Sequence, residues 1–252
     1  SDSDRNMSAS LTRITRQVSR TFDLKKRRLQ MKKSEFEDTL CNVIDIWSRY
    51  SKEQVAELLG EDVGRMVGYN QYNPHHCYDL FQHSLHTVEG LSDEAGSLLK
   101  VAAFFHDIGK PDVAKKKDER LVFYGHAGKS AKIVKPILAK MGYSEKEISE
   151  IIFYVKHHDD FITWDLKQDV HGRQSQYIQE ISLENLQKYI QKVEKKQPEF
   201  KIQKEHWINL LLLCKADVSA QADITIQNGK VIETREHKMM KIEALQECLK
   251  NI

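Results

Sequence analysis

Few residues in this sequence interrupt regular structure. The 252 residues include only four prolines and eleven glycines, and no segment is repetitive or of low complexity. Apolar residues recur at intervals of three and four over long stretches, which is the period of an α-helix. Hydrophobic residues make up 40% of the chain, so a chain of this length can bury a substantial core. We therefore predict an almost entirely helical protein.

Cysteine is also scarce, and long hydrophobic runs are absent. The four cysteines lie far apart, form no Cys-x-x-Cys pair and follow no secretory signal pattern. This usage is typical of a reducing compartment rather than of a disulfide framework, and we expect a cytoplasmic protein. The apolar stretch INLLLLC at 208–214 is much shorter than the roughly 20 residues that cross a bilayer. No membrane insertion is expected.

Charge is nearly balanced over the whole chain but unevenly distributed. Residues 1–33 contain ten basic and three acidic residues, a formal charge of +7, which leaves −5 for the remainder of a chain whose net charge is +2. Such a basic arm can contact nucleic acid phosphates, although a solvated helix rich in lysine and arginine is the commoner reason for such a composition. Both interpretations stay open from the sequence alone.

Changes in charge and histidine content along the sequence divide the chain into three parts. We predict a basic N-terminal helical extension over residues 1–69, a histidine-dense helical domain over 70–222, and a C-terminal part over 223–252 that packs on that domain. Helices are predicted over 11–22, 34–50, 51–60, 78–91, 93–107, 129–142, 144–158, 182–196, around 205–223 and over 236–250. Between the last two, DITIQNGKVIE carries an Asn-Gly turn between β-branched runs, which is typical of a small hairpin.

Histidine and aspartate occur where a helical core normally contains apolar residues. Eight of the eleven histidines lie between positions 75 and 158. His83 lies on a partly buried helix face, His106 and Asp107 follow the apolar run LLKVAAFF, and Asp217 follows INLLLLCKA. Each residue alone is more often a hydrogen-bonded core side chain or a helix cap. Together they favour a metal site, because several unpaired buried charges are costly.

The order of these motifs resembles the HD superfamily of metal-dependent phosphohydrolases. The similar stretches are YDLFQHSLHTV, AAFFHDIGKP, LVFYGHAGKSA with the basic loop before it, IIFYVKHHD and LLLCKADVSAQ. They look most like the HD domain attached to bacterial CCA-adding enzymes and poly(A) polymerases. Residues 1–69 lack the Gly-Ser with a following Asp-x-Asp pair that a nucleotidyltransferase head would contain, so we do not expect nucleotide addition. The resemblance implies an all-α fold, the helical bundle of an HD domain.

The resemblance also implies a set of ligands for one or two divalent metal ions. His83, His106, Asp107 and Asp217 would bind the first ion. His126 and the adjacent His157 and His158 match histidines that complete a second site in many members, with Asp107 as the bridge. Neighbouring residues on a helix point about 100° apart, so one of His157 and His158 is expected to lie outside the ligand shell, and the sequence does not say which. Imidazole and carboxylate ligands suit Mn²⁺, Fe²⁺, Ni²⁺, Mg²⁺ or Zn²⁺.

Basic residues near these motifs are candidates for substrate contact. Lys110 lies just past the His-Asp pair and could hold a phosphate, although a lysine at a helix C-terminus is an equally good interpretation. Lys115, Lys116, Lys117 and Arg120 fall in the predicted loop before His126 and could attract an anionic substrate or form a solvated loop. The cluster HHC at 75–77 has metal-binding residue types, but we interpret it as structural because no second ligand pair lies at zinc-finger spacing.

These observations predict a metal-dependent phosphohydrolase that cleaves a phosphomonoester or a phosphodiester, of a nucleotide or an RNA end, with water that the metal activates. Asp107 and Lys110 are the predicted catalytic residues, and Lys110, Lys115 and Arg120 the predicted substrate-binding residues. The alternatives are a non-catalytic HD module that binds RNA or a protein partner, and a nucleotide sensor. The sequence leaves open the substrate, the native metal, the number of ions, the oligomeric state and the pathway.

Overall fold

The structure, a computed structural model, describes residues 31–170 and 178–252. The predicted helix over 11–22 and most of the basic extension lie outside these residues. Within the described ranges the chain is mainly helical, and its strands form three two-stranded sheets. The predicted all-helical class with one small C-terminal hairpin is confirmed.

Between residues 31 and 69, the described portion of the N-terminal part, there are four short helices. They are α1 (Lys33–Thr39), α2 (Val43–Trp47), α3 (Lys52–Leu59) and α4 (Glu61–Gly64), with a 3-10 turn at Leu40–Asn42 between the first two. The single helix predicted over 34–50 is therefore interrupted. Helix α3 agrees with the sequence signals, because the Ser51 hydroxyl accepts from the Gln54 amide and Gly60 ends the helix with φ 102°.

The central part contains the helices on which, or directly after which, His83, His106, His126 and His158 lie. They are α5 (Leu80–Glu89), α6 (Ser97–Phe105), α7 (Lys110–Val113), α8 (His126–Met141) and α9 (Glu145–His157). Helix α8 begins three residues before the predicted start, at His126. The predicted basic loop before it is an antiparallel hairpin of β1 (Lys115–Lys117) and β2 (Arg120–Val122), with Asp118 at φ 56° in its turn.

In the described residues after α9, the chain forms one short helix, three long helices and four short strands. They are β3 (Trp164–Asp165), α10 (Lys167–Val170), β4 (Gln179–Glu180), α11 (Leu183–Lys196), α12 (Lys204–Ser219), β5 (Ile224–Gln227), β6 (Lys230–Thr234) and α13 (Arg235–Lys250). Strands β5 and β6 form the predicted hairpin, with Asn228 and Gly229 at φ 51° and 71° in the turn. No helix in the described part of the chain is long and apolar enough to cross a membrane.

One hydrophobic core joins residues from Met31 to Leu249. Phe36 on α1 lies edge-on to Phe104 on α6, with ring centroids 5.1 Å apart, and Trp47 on α2 contacts the same ring at 5.9 Å. The core therefore runs across residue 70, where we predicted a change of domain. The division of the chain into three parts stays a prediction.

Candidate metal centre

His83 and Asp217 meet where helices α5 and α12 lie side by side. The Nε2 atom of His83 is 2.9 Å from Oδ1 of Asp217. The helices can approach because residue 90, at the end of α5, is glycine. A Cβ atom there would lie 2.5 Å from the Ser219 hydroxyl oxygen and 3.3 Å from the Ala216 carbonyl oxygen. The sequence thus brings together two polar residues that are 134 positions apart.

His106 and Asp107 follow the apolar helix α6, which is buried among the other helices. Both side chains are almost fully inaccessible to solvent. The Nε2 atom of His106 lies 3.3 Å from Oδ2 of Asp107 and 3.7 Å from Oδ1 of Asp217. Asp107 Oδ2 also lies 3.5 Å from Nε2 of His83. His83, His106 and Asp217 therefore surround one side of the Asp107 carboxylate.

His126 and His158 approach the other oxygen of the same carboxylate. Their Nε2 atoms lie 3.1 Å and 3.5 Å from Asp107 Oδ1 and 3.1 Å from each other. His126 is the first residue of α8, and His158 directly follows α9. Helix α8 can reach Asp107 because residue 109 is glycine, where a Cβ atom would lie 2.5 Å from the amide nitrogen of Ser130.

All four of these histidines are oriented by the same type of hydrogen bond. The Nδ1 atoms of His83, His106, His126 and His158 lie 3.3, 2.7, 2.9 and 2.8 Å from backbone carbonyl oxygens of Ala220, Ala103, Phe123 and Val155, respectively. A carbonyl oxygen can only accept, so each Nδ1 carries a proton, and Nε2 is the ring atom that can bind a metal ion once it has lost its own proton. Histidine ligands of metal ions are commonly oriented in this way.

The polar atoms that face one another have few hydrogen bonds of their own. Among the described residues, His83 Nε2, His106 Nε2 and Asp107 Oδ1 are buried and make no well-directed hydrogen bond, although each lies 2.9–3.3 Å from a polar atom of the cluster. Buried polar atoms without a partner are costly in a native protein. A cation among them would satisfy all three atoms, so the residues present fit a metal ion.

The possible ligands form overlapping groups around Asp107. His83, His106 and Asp217 make one group, His106, Asp107 and His158 a second, and His126, His158 and Asp159 a third, with ligand atoms within 4.8 Å of one another in each. The two Asp107 oxygens face different histidines, Oδ2 toward His83 and His106 and Oδ1 toward His126 and His158. Nitrogen and oxygen donors in this mixture suit several divalent metals.

Electrostatics in this cluster favour ionised carboxylates. Burial alone would raise the pKa of Asp107, but His106 and Lys110 hold it well below the usual range. Burial likewise opposes ionisation of Asp217, whose pKa is held well below the usual range by His106 and His83. Burial alone would lower the pKa of His106, but the two carboxylates raise it to about 10. Both carboxylates are therefore ionised, as metal ligands must be, and a bound cation would take the place of the proton on His106.

His157 lies outside this cluster. Its Nδ1 atom is 2.5 Å from Oδ2 of Asp160, and its Nε2 atom is 2.7 Å from the side-chain nitrogen of Gln197. The Tyr189 hydroxyl donates to the same Asp160 oxygen. Both ring nitrogens of His157 are thus engaged, whereas its neighbour His158 faces Asp107. Of the adjacent pair, the structure brings only His158 to the other predicted ligands.

Lys110 lies beside the cluster rather than at an exposed helix end. Its Nζ atom is 2.6 Å from Asp107 Oδ2, 2.9 Å from Gln71 Oε1 and 3.2 Å from His76 Nε2. It is also buried, although lysine is seldom buried without partners. Further out, Lys115 on β1 is exposed and Arg120 on β2 is half-buried.

Sequence reasoning missed three residues of this region. Asp159 belongs to the group with His126 and His158, and its place directly after the HH pair was the available signal. His76 was interpreted as structural with the rest of HHC, yet its ring centroid lies 4.9 Å from that of His83. Gln71 carried no signal, because its role depends on a loop that packs against Lys110. In contrast, Asp79, one turn before His83, caps helix α5, where its carboxylate accepts from the Gln82 amide.

Comparison with known families agrees with this arrangement. The HD domain family matches residues 53–195, more than half of the chain. The match contains every candidate ligand except Asp217, which lies beyond its end. No curated protein matches the chain. The family match, the helical fold and the histidine-aspartate cluster at HDIGK together show that the chain belongs to the HD domain family.

Proposed function

We propose that this protein is a metal-dependent phosphohydrolase that cleaves a phosphomonoester or a phosphodiester of a nucleotide or an RNA end. Membership in the HD domain family suggests metal-dependent phosphohydrolase activity in general. The narrower resemblance to the HD domain of bacterial CCA-adding enzymes and poly(A) polymerases supports a nucleotide or an RNA end as the substrate.

The observation that carries the proposal is the common orientation of four imidazoles around one buried carboxylate. Each Nδ1 atom lies within hydrogen-bond distance of a backbone carbonyl, and each Nε2 atom lies within 3.5 Å of Asp107 or Asp217. A purely structural histidine needs no such shared orientation. We propose that the ligands of one or two ions are His83, His106, Asp107, His126, His158 and Asp217, with Asp159 as a further donor.

A divalent ion at this position would supply Lewis acidity, which makes a water molecule more acidic and offsets charge on a phosphoryl group. The chain's own residues contribute orientation and charge. Asp107 holds the two sides of the cluster together, and the carbonyl hydrogen bonds hold the imidazole rings in place. Lys110, which Gln71 and His76 position, provides a positive charge for a phosphate oxygen.

The basic side chains on the hairpin of β1 and β2 support the proposal that the substrate is an anion. Lys115, Lys116 and Lys117 are exposed on β1, and Arg120 lies opposite Lys117 on β2. The hairpin leads directly into Phe123, whose ring lies 5.4 Å from Lys110 Nζ. We propose that Lys115 and Arg120 attract the phosphate ester toward Lys110, an electrostatic effect that salt would screen.

Elemental analysis of the purified protein, together with assays on a panel of phosphoesters, tests this function. The panel includes nucleoside monophosphates, a phosphodiester and short RNA with a terminal phosphate, each with added Mn²⁺, Ni²⁺, Mg²⁺ or Zn²⁺. We expect at least one bound transition metal ion per chain and turnover of one or more substrates. A protein that binds metal without turnover would instead support the nucleotide-sensor or scaffold alternative. A protein that binds no metal and stays inert would overturn the proposal.

A further inference from the structure

Two exposed tyrosines directly follow two of the residues that contact Lys110. Gln71 accepts from Lys110 Nζ and is followed by Tyr72, and Phe123 has its ring beside the same ammonium group and is followed by Tyr124. Tyr72 is 65% exposed and Tyr124 is 73% exposed, the two highest values among the described aromatic residues. Gln71 and Phe123, which contact Lys110, are thus each followed in the sequence by a solvent-exposed aromatic ring.

Backbone hydrogen bonds hold the two tyrosines on adjoining segments. The Tyr72 carbonyl accepts from the amide of Leu121 on β2 at 3.0 Å, and the Asn73 side chain donates to the Leu121 carbonyl at 3.1 Å. Tyr124 follows Leu121 by three residues and precedes His126 by two. The position of each ring is therefore coupled through the backbone to Lys110 or to a candidate metal ligand.

The conformation of Tyr72 is unusual for a bulky residue. Its φ is 41°, in the left-handed region that tyrosine rarely adopts. The Tyr72 amide donates to Asn70 Oδ1 at 2.8 Å, and this bond and the Leu121 bond hold the strained turn. Strained backbone of this kind clusters at functional sites. In this turn it buries Gln71 against Lys110 and places the next side chain in solvent.

Neither ring has a role in packing. In the described ranges no aromatic ring, cation or hydrogen-bond partner contacts the side chain of Tyr72 or Tyr124. By contrast, the exposed Tyr78 stacks on His86, with centroids 4.1 Å apart. Single exposed aromatic residues are ordinary, but two beside a candidate phosphate site offer flat surfaces on which a base can stack.

We propose that Tyr72 and Tyr124 form a stacking site for the base of a nucleotide whose phosphate lies at the metal centre. This inference rests on the proposed function, and it names the residues that would bind the base of such a substrate. The basic residues of β1 and β2 belong to the hairpin that hydrogen-bonds to the backbone of Tyr72 and leads toward Tyr124. Base stacking is tolerant of sequence, so the site favours nucleotides without selecting strongly among the four bases.

The test measures binding of 2-aminopurine riboside 5′-monophosphate, whose fluorescence is quenched when its base stacks. Mixing with the Mn²⁺-loaded protein is followed on the stopped-flow time scale, before turnover. We expect quenching by the native protein and an increase in Kd of about tenfold or more for Tyr72→Gly with Tyr124→Ala. Glycine is used at position 72 because it accepts a positive φ. The double Tyr→Phe variant should retain both quenching and affinity.

Two comparisons make the result specific. Tyr78→Ala is the matched control and should leave the Kd of the nucleotide unchanged. Ribose 5-phosphate, which has no base, should bind the native protein and the double variant with the same affinity when it competes with the nucleotide. Equal quenching and Kd in the native protein and the double variant would overturn the stacking site, as would a native protein that hydrolyses simple phosphoesters but does not bind the nucleotide. Tyrosine-dependent quenching without turnover of any phosphoester would uphold the stacking site and overturn the hydrolase.

Discussion

Neighbouring residues His157 and His158 have entirely different surroundings. The sequence placed both at the end of one helix and predicted that only one would be a ligand, since they point in different directions. The choice depends on Asp160, Tyr189 and Gln197, which surround His157. Gln197 lies 40 residues further along the chain, so local pattern could not identify it. The identity of the candidate ligand comes from tertiary packing.

Replacement of Asp107 by asparagine tests its proposed place between the ions. Asp107→Asn keeps the shape of the side chain but removes the charge that faces both groups of imidazoles. We expect metal affinity to fall by more than the roughly 10- to 100-fold that loss of an outer hydrogen-bond partner costs. Metal content after dialysis and competition with a chromogenic chelator measure the change.

His157→Gln is the matched control for that experiment. It removes a buried imidazole one residue from His158, so we expect a loss of stability of about 1–3 kcal/mol with metal content unchanged. Thermal unfolding and elemental analysis on the same sample separate the two effects. If Asp107→Asn retains its metal, or if His157→Gln loses it, the proposed ligand assignment is incorrect.

At the scale of elements, helix-capping residues in the sequence coincide with the ends of helices in the structure. The capping boxes at Ser51 and Ser144 both form, and Gly60 and Gly142 end their helices with positive φ. The interruption of the helix predicted over 34–50 was missed, because the apolar periodicity continues through the 3-10 turn that interrupts it. Thr39 accepts from the Trp47 indole at 2.9 Å, a contact that accompanies the 3-10 turn.

Some helices pack closely only because a glycine lies at the contact, and the sequence alone did not show which glycines these are. Gly109 belongs to the HDIGK stretch, and a Cβ atom there would also lie 2.8 Å from the His126 carbonyl oxygen. Gly109→Ala should therefore push α8 away from Asp107. We expect destabilisation of about 1–3 kcal/mol from overpacking and weaker metal binding, because His126 moves with its helix. Urea denaturation and metal titration measure the two changes.

Gly128, on the same helix α8, offers the opposite case. Among the described residues, a Cβ atom at this position would meet no atom within 4 Å beyond its own stretch of helix, and alanine is the better helix former. Gly128→Ala should therefore stabilise the protein by about 0.5–1 kcal/mol with unchanged metal affinity. Equal effects of the two substitutions would contradict the close-approach explanation for Gly109.

At the scale of the whole molecule, the core does not follow the boundaries suggested by the sequence. Charge and histidine content change near residue 70, yet Phe36 and Trp47 pack on Phe104 just ahead of the His-Asp pair. The family match begins at residue 53, also ahead of that point. Composition describes the surface and the site, whereas the core depends on shape complementarity between distant segments. That complementarity could not be predicted from a single sequence.

The same limit explains why the centre was predicted only as a list of residues. Through a resemblance, the sequence predicted that one site contains His83, His106, Asp107, His126, His157, His158 and Asp217. It contained no information on which Asp107 oxygen faces which histidine, or on the shared hydrogen bonds from Nδ1 to carbonyl oxygens. Those features arise only when the ends of several helices meet, and they decide which atoms are available to a cation.

An ion pair between Lys33 and Glu147 joins the start of the described chain to helix α9. The hydrogen bond from Lys33, with those from the amide and hydroxyl of Ser144, lowers the pKa of Glu147 to about 2 from its ordinary value near 4.5. A carboxyl group with a lowered pKa stabilises the fold above its unfolded pKa, and this contribution is lost as the pH falls. The loss should therefore occur between about pH 4.5 and pH 2.

Glu147→Gln tests this link between distant segments. Glutamine can still accept the capping hydrogen bonds from Ser144, so the substitution removes mainly the charge. Because both side chains are partly exposed and solvent screens such pairs, we expect a loss of about 1 kcal/mol at pH 7 that shrinks toward zero near pH 2. Urea denaturation at a series of pH values measures it. In a double-mutant cycle, Lys33→Met should cost little once Glu147 is glutamine. A pH-independent difference, or additive effects of the two substitutions, would show that this ion pair does not hold α1 against α9.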